Sequence, residues 1–401
     1  MAKILINNAN ENNIFLNINK INEEGNSLLY LSTHLNNTKM VKLIIKYAKN
    51  KKIDLNYGND YSDGSFLLNA IKNKNVEMTK LIIKYAKEKN IPLNINKDGI
   101  SLPFIYAIDS NNKDIVHLMI TYAEEKNFVL NINDDEYECC PALILAARKK
   151  NKEITKLIID YASKHKIKLS INKNNFNPNF PLLEATSDLE VFKLIVEYAK
   201  KNNIFLDMNC KNSEGIYQFY NAVHHNHIEM VRFIMDYAEK NKFILNINND
   251  DGYECSVCNP FLVAILNDNM EMVKLIMDYA NKHDIILKVN DSNNDSNFPL
   301  MAAIENNNLE MVQLIMKYAT NKNIILKTNF DCGLNYDDSI FVAIQNKNLN
   351  IVKLIFNYAE KNNITLKINE KDGMRNTLFI KAVDTNNIEI VKILIEYADK
   401  K

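Results

Sequence analysis

The chain has 401 residues, 47% of them hydrophobic and 24% charged, enough apolar mass for a packed interior in a soluble protein. Lysine plus arginine balance aspartate plus glutamate at 49 each, so no net charge draws the chain to nucleic acid or an anionic membrane. No run approaches the roughly 18 apolar residues of a membrane helix, and MAKILINNANENN lacks the apolar core of a secretory signal.

Six cysteines are too few for a disulfide scaffold, so reduced thiols in a cytoplasmic or nuclear setting are expected. The abundance of Asn, Lys and Ile is attributed to an AT-rich coding sequence.

Along the chain, Ile4 to Asn19 aligns with Leu81 to Asn96, so residues 1–19 form half a repeating unit. Ten units follow at roughly 20–57, 58–96, 97–133, 134–172, 173–209, 210–248, 249–290, 291–329, 330–369 and 370–401. Each carries a Tyr-Ala pair, beginning at Tyr47, Tyr85 and Tyr122 and ending at Tyr397, with spacings of 37 to 42 residues. A small residue stands 15 positions before most of those tyrosines, as at Ala70, Ala107, Ala146, Ala264 and Ala303; the fifth unit is two residues shorter and places Ala185 there. Two markers in fixed register over ten units predict a solenoid over 1–401, not a set of independent globules.

Each unit predicts two helices. The first is short and opens near a proline (Pro103, Pro181, Pro260, Pro299; Pro141 one residue earlier), where the missing N–H costs nothing. An Asn-rich turn follows, as in Asn306-Asn307-Asn308, suited to the left-handed residue that ends a helix. The second helix carries an acid near its start (Glu77, Glu229, Glu271, Glu310, Glu389) and a wide apolar arc (Met311, Val312, Leu314, Ile315, Tyr318). Tyr and Met in that arc read as core filler.

From Asp98 to Asn133 the sequence resembles an ankyrin repeat. Asp98-Gly99 is similar to the family's turn, Ser101-Leu102-Pro103-Phe104 to a degraded Thr-Pro-Leu-His, Ile115-Val116 to its Ile-Val and Asn131-Ile132-Asn133 to its closing Asp-Val-Asn. Asn226-His227 falls where the family has Gly-His. One departure is systematic: the second helix of an ankyrin repeat stops at Gly, and here the position is Ala (Ala86, Ala123, Ala280). Ala favours helix and disfavours the left-handed conformation. The helix should therefore run about one more turn, stop at Asn90 or its equivalents, and lead into an extended finger (Ile91, Leu93, Ile95). The expected fold is thus all-α, an ankyrin-like solenoid of helix-turn-helix units joined by finger loops.

Little points to chemistry. Cys255-Ser-Val-Cys258 is a single CxxC, with Cys139 and Cys140 three repeats away, too far to complete four zinc ligands. His224-His225-Asn226-His227 falls in an interhelix turn with no carboxylate or thiol at ligand spacing. There is no phosphate loop or nucleophile elbow, so no catalytic, metal or cofactor residue is assigned. The loops between repeats are acidic and carry tyrosines: Tyr61 with Asp60 and Asp63, Tyr137 with Glu138, Tyr253 with Glu254, and Tyr336 with Asp337 and Asp338. These are the candidate contacts for a partner with a basic patch, since tyrosine offers contact area at low entropic cost; the alternative is that acidic loops only keep turns solvated. Lys39, Lys42, Lys46, Lys49, Lys51 and Lys52 suggest a more basic outer face.

The resemblance implies a non-enzymatic scaffold or adaptor binding a protein or peptide along a concave face of fingers and first helices, without nucleic acid, membrane or cofactor. Two other readings stand beside it: the targeting arm of a larger ubiquitin ligase or kinase, and a mechanical spacer. A monomer is expected; because Ile390, Val391 and Leu394 are as apolar as their interior equivalents, either the chain is a segment of a longer array or its terminal repeats bury themselves against something else, end-to-end association being one way.

Overall fold

The computed structural model describes residues 14–55 (with 8, 11 and 12), 66–93, 95, 103–133, 142–172, 180–248, 259–293, 297–327, 339–366, 368–369 and 376–399. The chain divides into two compact units, Met1–Leu206 and Asp207–Lys401. Both are built from the same helical hairpin, and no strand occurs among the described residues. The fold is all-α and ankyrin-like.

The first unit holds five hairpins: α1 (Leu28–His34) with α2 (Thr38–Asn50), α3 (Phe66–Lys72) with α4 (Val76–Glu88), α5 (Pro103–Asp109) with α6 (Lys113–Glu125), α7 (Ala142–Arg148) with α8 (Lys152–Lys164), and α9 (Pro181–Glu184) with α10 (Leu189–Lys201). The second holds five more: α11 (Gln218–His224) with α12 (Ile228–Lys240), α13 (Pro260–Leu266) with α14 (Met270–Lys282), α15 (Pro299–Glu305) with α16 (Leu309–Asn321), α17 (Ser339–Gln345) with α18 (Leu349–Lys361), and α19 (Leu378–Asp384) with α20 (Ile388–Asp399). Within each unit the short helices pack in file on one another and on their own long helices. The mid-helix alanine makes that possible: Ala70, Ala107, Ala146, Ala185, Ala222, Ala264, Ala303, Ala343 and Ala382 are all fully buried.

The long helix stops where the sequence says it should. In the second hairpin it runs through Glu88, Asn90 turns left-handed at φ 53°, and the Ile91 N–H closes onto the Ala86 carbonyl at 2.8 Å. That six-to-one bond is a Schellman stop, and the alanine replacing the family's Gly supplies its acceptor. Asn127, Asn203, Asn323 and Asn363 repeat the device, whereas Lys52, Lys166, Lys242 and Asp284 hold the same left-handed position with less suitable side chains.

The interhelix asparagines divide three tasks. The Asn306 amide donates back to the Ile265 carbonyl of the preceding hairpin at 2.8 Å, Asn307 supplies the left-handed residue at φ 54°, and Asn308 caps α16 by accepting the Met311 N–H at 3.0 Å. The capping amide also reaches back. Asn308 donates to Asp268 (2.7 Å), Asn348 to Asn307 (2.7 Å), Asn269 to Asn226 (2.6 Å), Asn151 to Asn111 (2.7 Å) and Asn75 to Asn36 (2.7 Å), forming a ladder along each unit. The fifth hairpin, two residues shorter, replaces this turn with a 3₁₀ segment (Ala185–Ser187) and caps α10 with Asp188.

The tyrosine of each Tyr-Ala pair is more than core filler. Its hydroxyl accepts the leucine N–H at the base of the preceding finger: Leu16 to Tyr47 (2.9 Å), Leu93 to Tyr122 (3.0 Å), Leu130 to Tyr161 (2.8 Å), Leu245 to Tyr279 (3.0 Å), Leu287 to Tyr318 (3.0 Å) and Leu366 to Tyr397 (2.9 Å). Tyr85 and Tyr198 also donate to the Ile53 and Ile167 carbonyls at 3.3 and 3.2 Å, so one hydroxyl clasps two backbone groups of its neighbour. The last Asn of the finger base adds a second clasp. The Asn290 amide donates to the Ile325 carbonyl (2.8 Å) and accepts the Lys327 N–H (2.9 Å), imitating one rung of a sheet between repeats. Asn209 and Asn248 do the same in their hairpins.

Tyr318→Phe keeps the ring but strands the Leu287 N–H, and should lower the unfolding free energy by ~1–3 kcal/mol in denaturant titrations. Conversely, Lys347→Asn suits the left-handed site better and gives Asn387 an acceptor, so a gain of about 0.5–1 kcal/mol is expected.

Candidate partner-binding face

Outside the first and last hairpins, the short helices are largely buried up to their last residue. That position is exposed in His34, Lys72, Asp109 and Arg148 of the first unit and in His224, Leu266, Glu305, Gln345 and Asp384 of the second. Its register is fixed by the buried small residue two positions earlier (Ser32 before His34, alanine in the others), so the exposed side chains form a column in each unit. In the first unit they are engaged locally. Arg148 forks onto Glu184 of the next repeat (2.7 and 3.1 Å), Lys72 lies over the Tyr106 ring at 4.6 Å, and His34 stacks on Tyr30.

In the second unit the column includes Glu305, whose side chain reaches solvent while the protein around it removes water from the carboxylate. That desolvation raises its pKa above the ordinary value. Beside it on neighbouring repeats stand Leu266 and Gln345, neither of them a counterion.

Three fingers carry the same asparagine bond. Asn22, Asn212 and Asn293 each accept at Oδ1 the N–H four residues on (Asn26, Ile216, Asn297), all at 2.8 Å. Gly25 and Gly215 supply left-handed φ values of 79° and 80° in the first two. The predicted contacts Tyr61, Tyr137, Glu138, Tyr253, Glu254, Tyr336, Asp337 and Asp338 lie outside the described residues, as do Cys139, Cys140, Cys255 and Cys258. His224, His225 and His227 are exposed in their turn, and among the described residues no group of three or more His, Cys, Asp or Glu side chains is arranged to hold a metal.

The long-helix face is laced with charge pairs between repeats. Lys42 pairs with Glu77, Lys113 with Glu153 (2.7 Å), Lys152 with Glu190 (2.8 Å), Arg232 with Glu271 (2.7 Å) and Lys274 with Glu310 (3.0 Å). Near the helix ends the sign alternates: Lys49 and Lys87 meet Glu88 and Glu125, but Glu124 and Glu239 meet Lys164 (2.6 Å) and Lys282 (2.8 Å). Of the lysines expected to make the outer face basic, Lys42 and Lys49 are thus paired with acids of the next hairpin. Glu239 also contacts His283 Nε2 at 2.6 Å. The Lys282 hydrogen bond, with that of His283 next, holds its carboxyl below the usual carboxylate range.

An exposed apolar row escaped the sequence reading. Ile244, Ile286 and Ile325 stand on successive repeats of the second unit, each more than half exposed. The signal was available: Phe243-Ile244-Leu245, Ile285-Ile286-Leu287 and Ile324-Ile325-Leu326 break the apolar–polar alternation expected of the finger base.

Residues 242–325 match the family model described as ankyrin repeats, in three copies. The same hairpin, turn and finger base recur in both structural units, which supports an ankyrin-repeat protein. Ankyrin repeats are general protein–protein interaction modules, and the family is typically non-catalytic. No curated protein matches the chain. No described helix is long and apolar enough to cross a membrane.

Two carboxylates should respond oppositely to pH. A raised folded-state pKa means that ionising Glu305 costs stability, lost as pH rises from the ordinary carboxylate range through the raised value. Glu305→Gln should therefore melt higher than the parent at neutral pH and equal to it in acid. The lowered pKa of Glu239 contributes stability above the ordinary carboxylate range that is lost as pH falls through the folded value. Glu239→Gln should melt lower at neutral pH, and the gap should close in acid.

Proposed function

We propose that the chain is a non-enzymatic scaffold or adaptor that binds a protein or peptide along the face made by the fingers and the exposed ends of the short helices. The observation that carries this reading is the contrast within each repeat. Buried positions hold the same residue types from hairpin to hairpin, while the exposed column changes from His to Lys, Asp and Arg, and from His to Leu, Glu, Gln and Asp. A rigid support with varied chemistry at a fixed spacing suits recognition, because folding has already met the ordering cost of the contacts. In the second unit the column favours a segment with a basic group for Glu305 and an apolar neighbour for Leu266. The acidic, tyrosine-bearing finger segments fit the same basic partner, and a reduced cytoplasmic or nuclear setting accords with the sparse cysteines.

A peptide-display selection against the intact chain tests the proposal. Selected peptides should be enriched in Lys or Arg flanked by apolar residues. Leu266→Ala with Glu305→Gln should weaken them at least tenfold, a loss of about 1.4 kcal/mol. Replacing Tyr137, Tyr253 and Tyr336 by Ser should weaken them further. Ligands that bind both variants as tightly as the parent, or that cross-link to the long-helix face, would overturn the reading.

A further inference from the structure

On the outer face of the first unit, the seam between the packed long helices α2 and α4 carries cations that the fold leaves unbalanced. Helix α2 has no acid, and α4 has only Glu77 and Glu88. Both acids are taken: Lys42 holds Glu77 and Lys49 holds Glu88 across the seam. Lys87 pairs instead with Glu125 of α6. Lys39, Lys46, Lys80 and Lys84 are all exposed and have no ion-pair partner among the described residues. They continue the stripes of the bridged residues, since helix positions three and four apart share a face. The two bridges therefore hold Lys46 and Lys84 across from one another, with Lys80 one turn before Lys84. Stability alone would place an acid at one of these positions, because like charges on one face repel. Nor does the fold demand lysine there: the residue before the Tyr-Ala pair is Thr121, Asp160 and Glu197 in the next three hairpins.

We propose that this seam is a docking site for a short acidic segment of another protein, separate from the finger and short-helix face. Lys39 and Lys46 stand about 10 Å apart along α2, which matches acids at i and i+7 on a partner helix. Lys80 and Lys84 match acids at i and i+4. The occupant is short, because farther along the unit the same position turns to Asp160 and Glu197, which would repel a long polyanion such as a nucleic acid. Neither stripe holds an aromatic side chain on which a base could stack.

The test is fluorescence anisotropy of a labelled octaglutamate peptide titrated with the whole chain at low ionic strength. Binding that weakens as salt is added is expected. Lys39→Gln, Lys46→Gln, Lys80→Gln and Lys84→Gln together should weaken it at least tenfold with parental helical content by circular dichroism, since all four side chains are exposed. An equal loss of charge in the second unit, by Lys240→Gln, Lys242→Gln, Lys317→Gln and Lys353→Gln, should leave it within about twofold. Lys46→Glu should melt higher than the parent while losing the peptide, because the new acid faces only lysines. Octaglutamate binding that survives the first set of substitutions, or falls as far with the second, would overturn the proposal. So would a Lys46→Glu chain that melts no higher, or tighter binding to a DNA duplex or to phosphatidylserine vesicles than to the peptide.

Discussion

The architecture depends on one hydrogen bond repeated at the junctions between hairpins: a leucine N–H at the base of each finger given to the tyrosine hydroxyl of the following long helix. A buried N–H without a partner costs more than a made bond returns, so the register of each finger is tied to the next hairpin. The tyrosine ring lies in the core and its hydroxyl meets the irregular backbone of the finger base. Phe would fill the same volume and leave the finger base unsatisfied, which accounts for Tyr where the bond forms, as at Tyr122, Tyr161, Tyr279, Tyr318 and Tyr397.

The asparagines, whose abundance was laid to coding bias and only some of which were expected to end helices, hold specific structural positions. Their side chains carry a donor and an acceptor in the geometry of a peptide group, and they tolerate left-handed backbone better than most residues. One Asn returns a lost carbonyl bond, the next makes the turn and the third caps the helix and reaches back one repeat. At the finger base another imitates a strand rung where no strand forms. Surface ion pairs add little stability. Their alternating sign (Lys87 to Glu125, then Glu124 to Lys164) would repel hairpins stacked in the wrong order.

Periodicity made the fold legible: Tyr-Ala and the buried alanine set the register, and Ala86 in place of Gly foretold the longer helix and its stop near Asn90. The finer devices were not legible, because a tyrosine that packs and one that also clasps have the same spacing, and Asn306, Asn307 and Asn308 differ in role only once the preceding hairpin is in place. Sequence reasoning put recognition on the tyrosines of the finger tips. It passed over the short-helix column with Glu305, since a lone glutamate at a helix end looks like a solvated residue until its neighbours remove its water. It likewise treated Ile286 and Ile325 as part of an alternating segment, although a third consecutive apolar residue marks an outward-facing one.

Amide hydrogen exchange on the intact chain under native conditions tests the central claim most directly. If the tyrosine clasp couples neighbouring repeats, the N–H groups of Leu245, Leu287, Leu326 and Leu366 will exchange as slowly as the core amides of the long helices they join, although they lie outside any helix. Exchange at those four leucines as fast as at the exposed finger residues beside them would show that the hairpins stack without the clasp, and would contradict this account of how the fold is held.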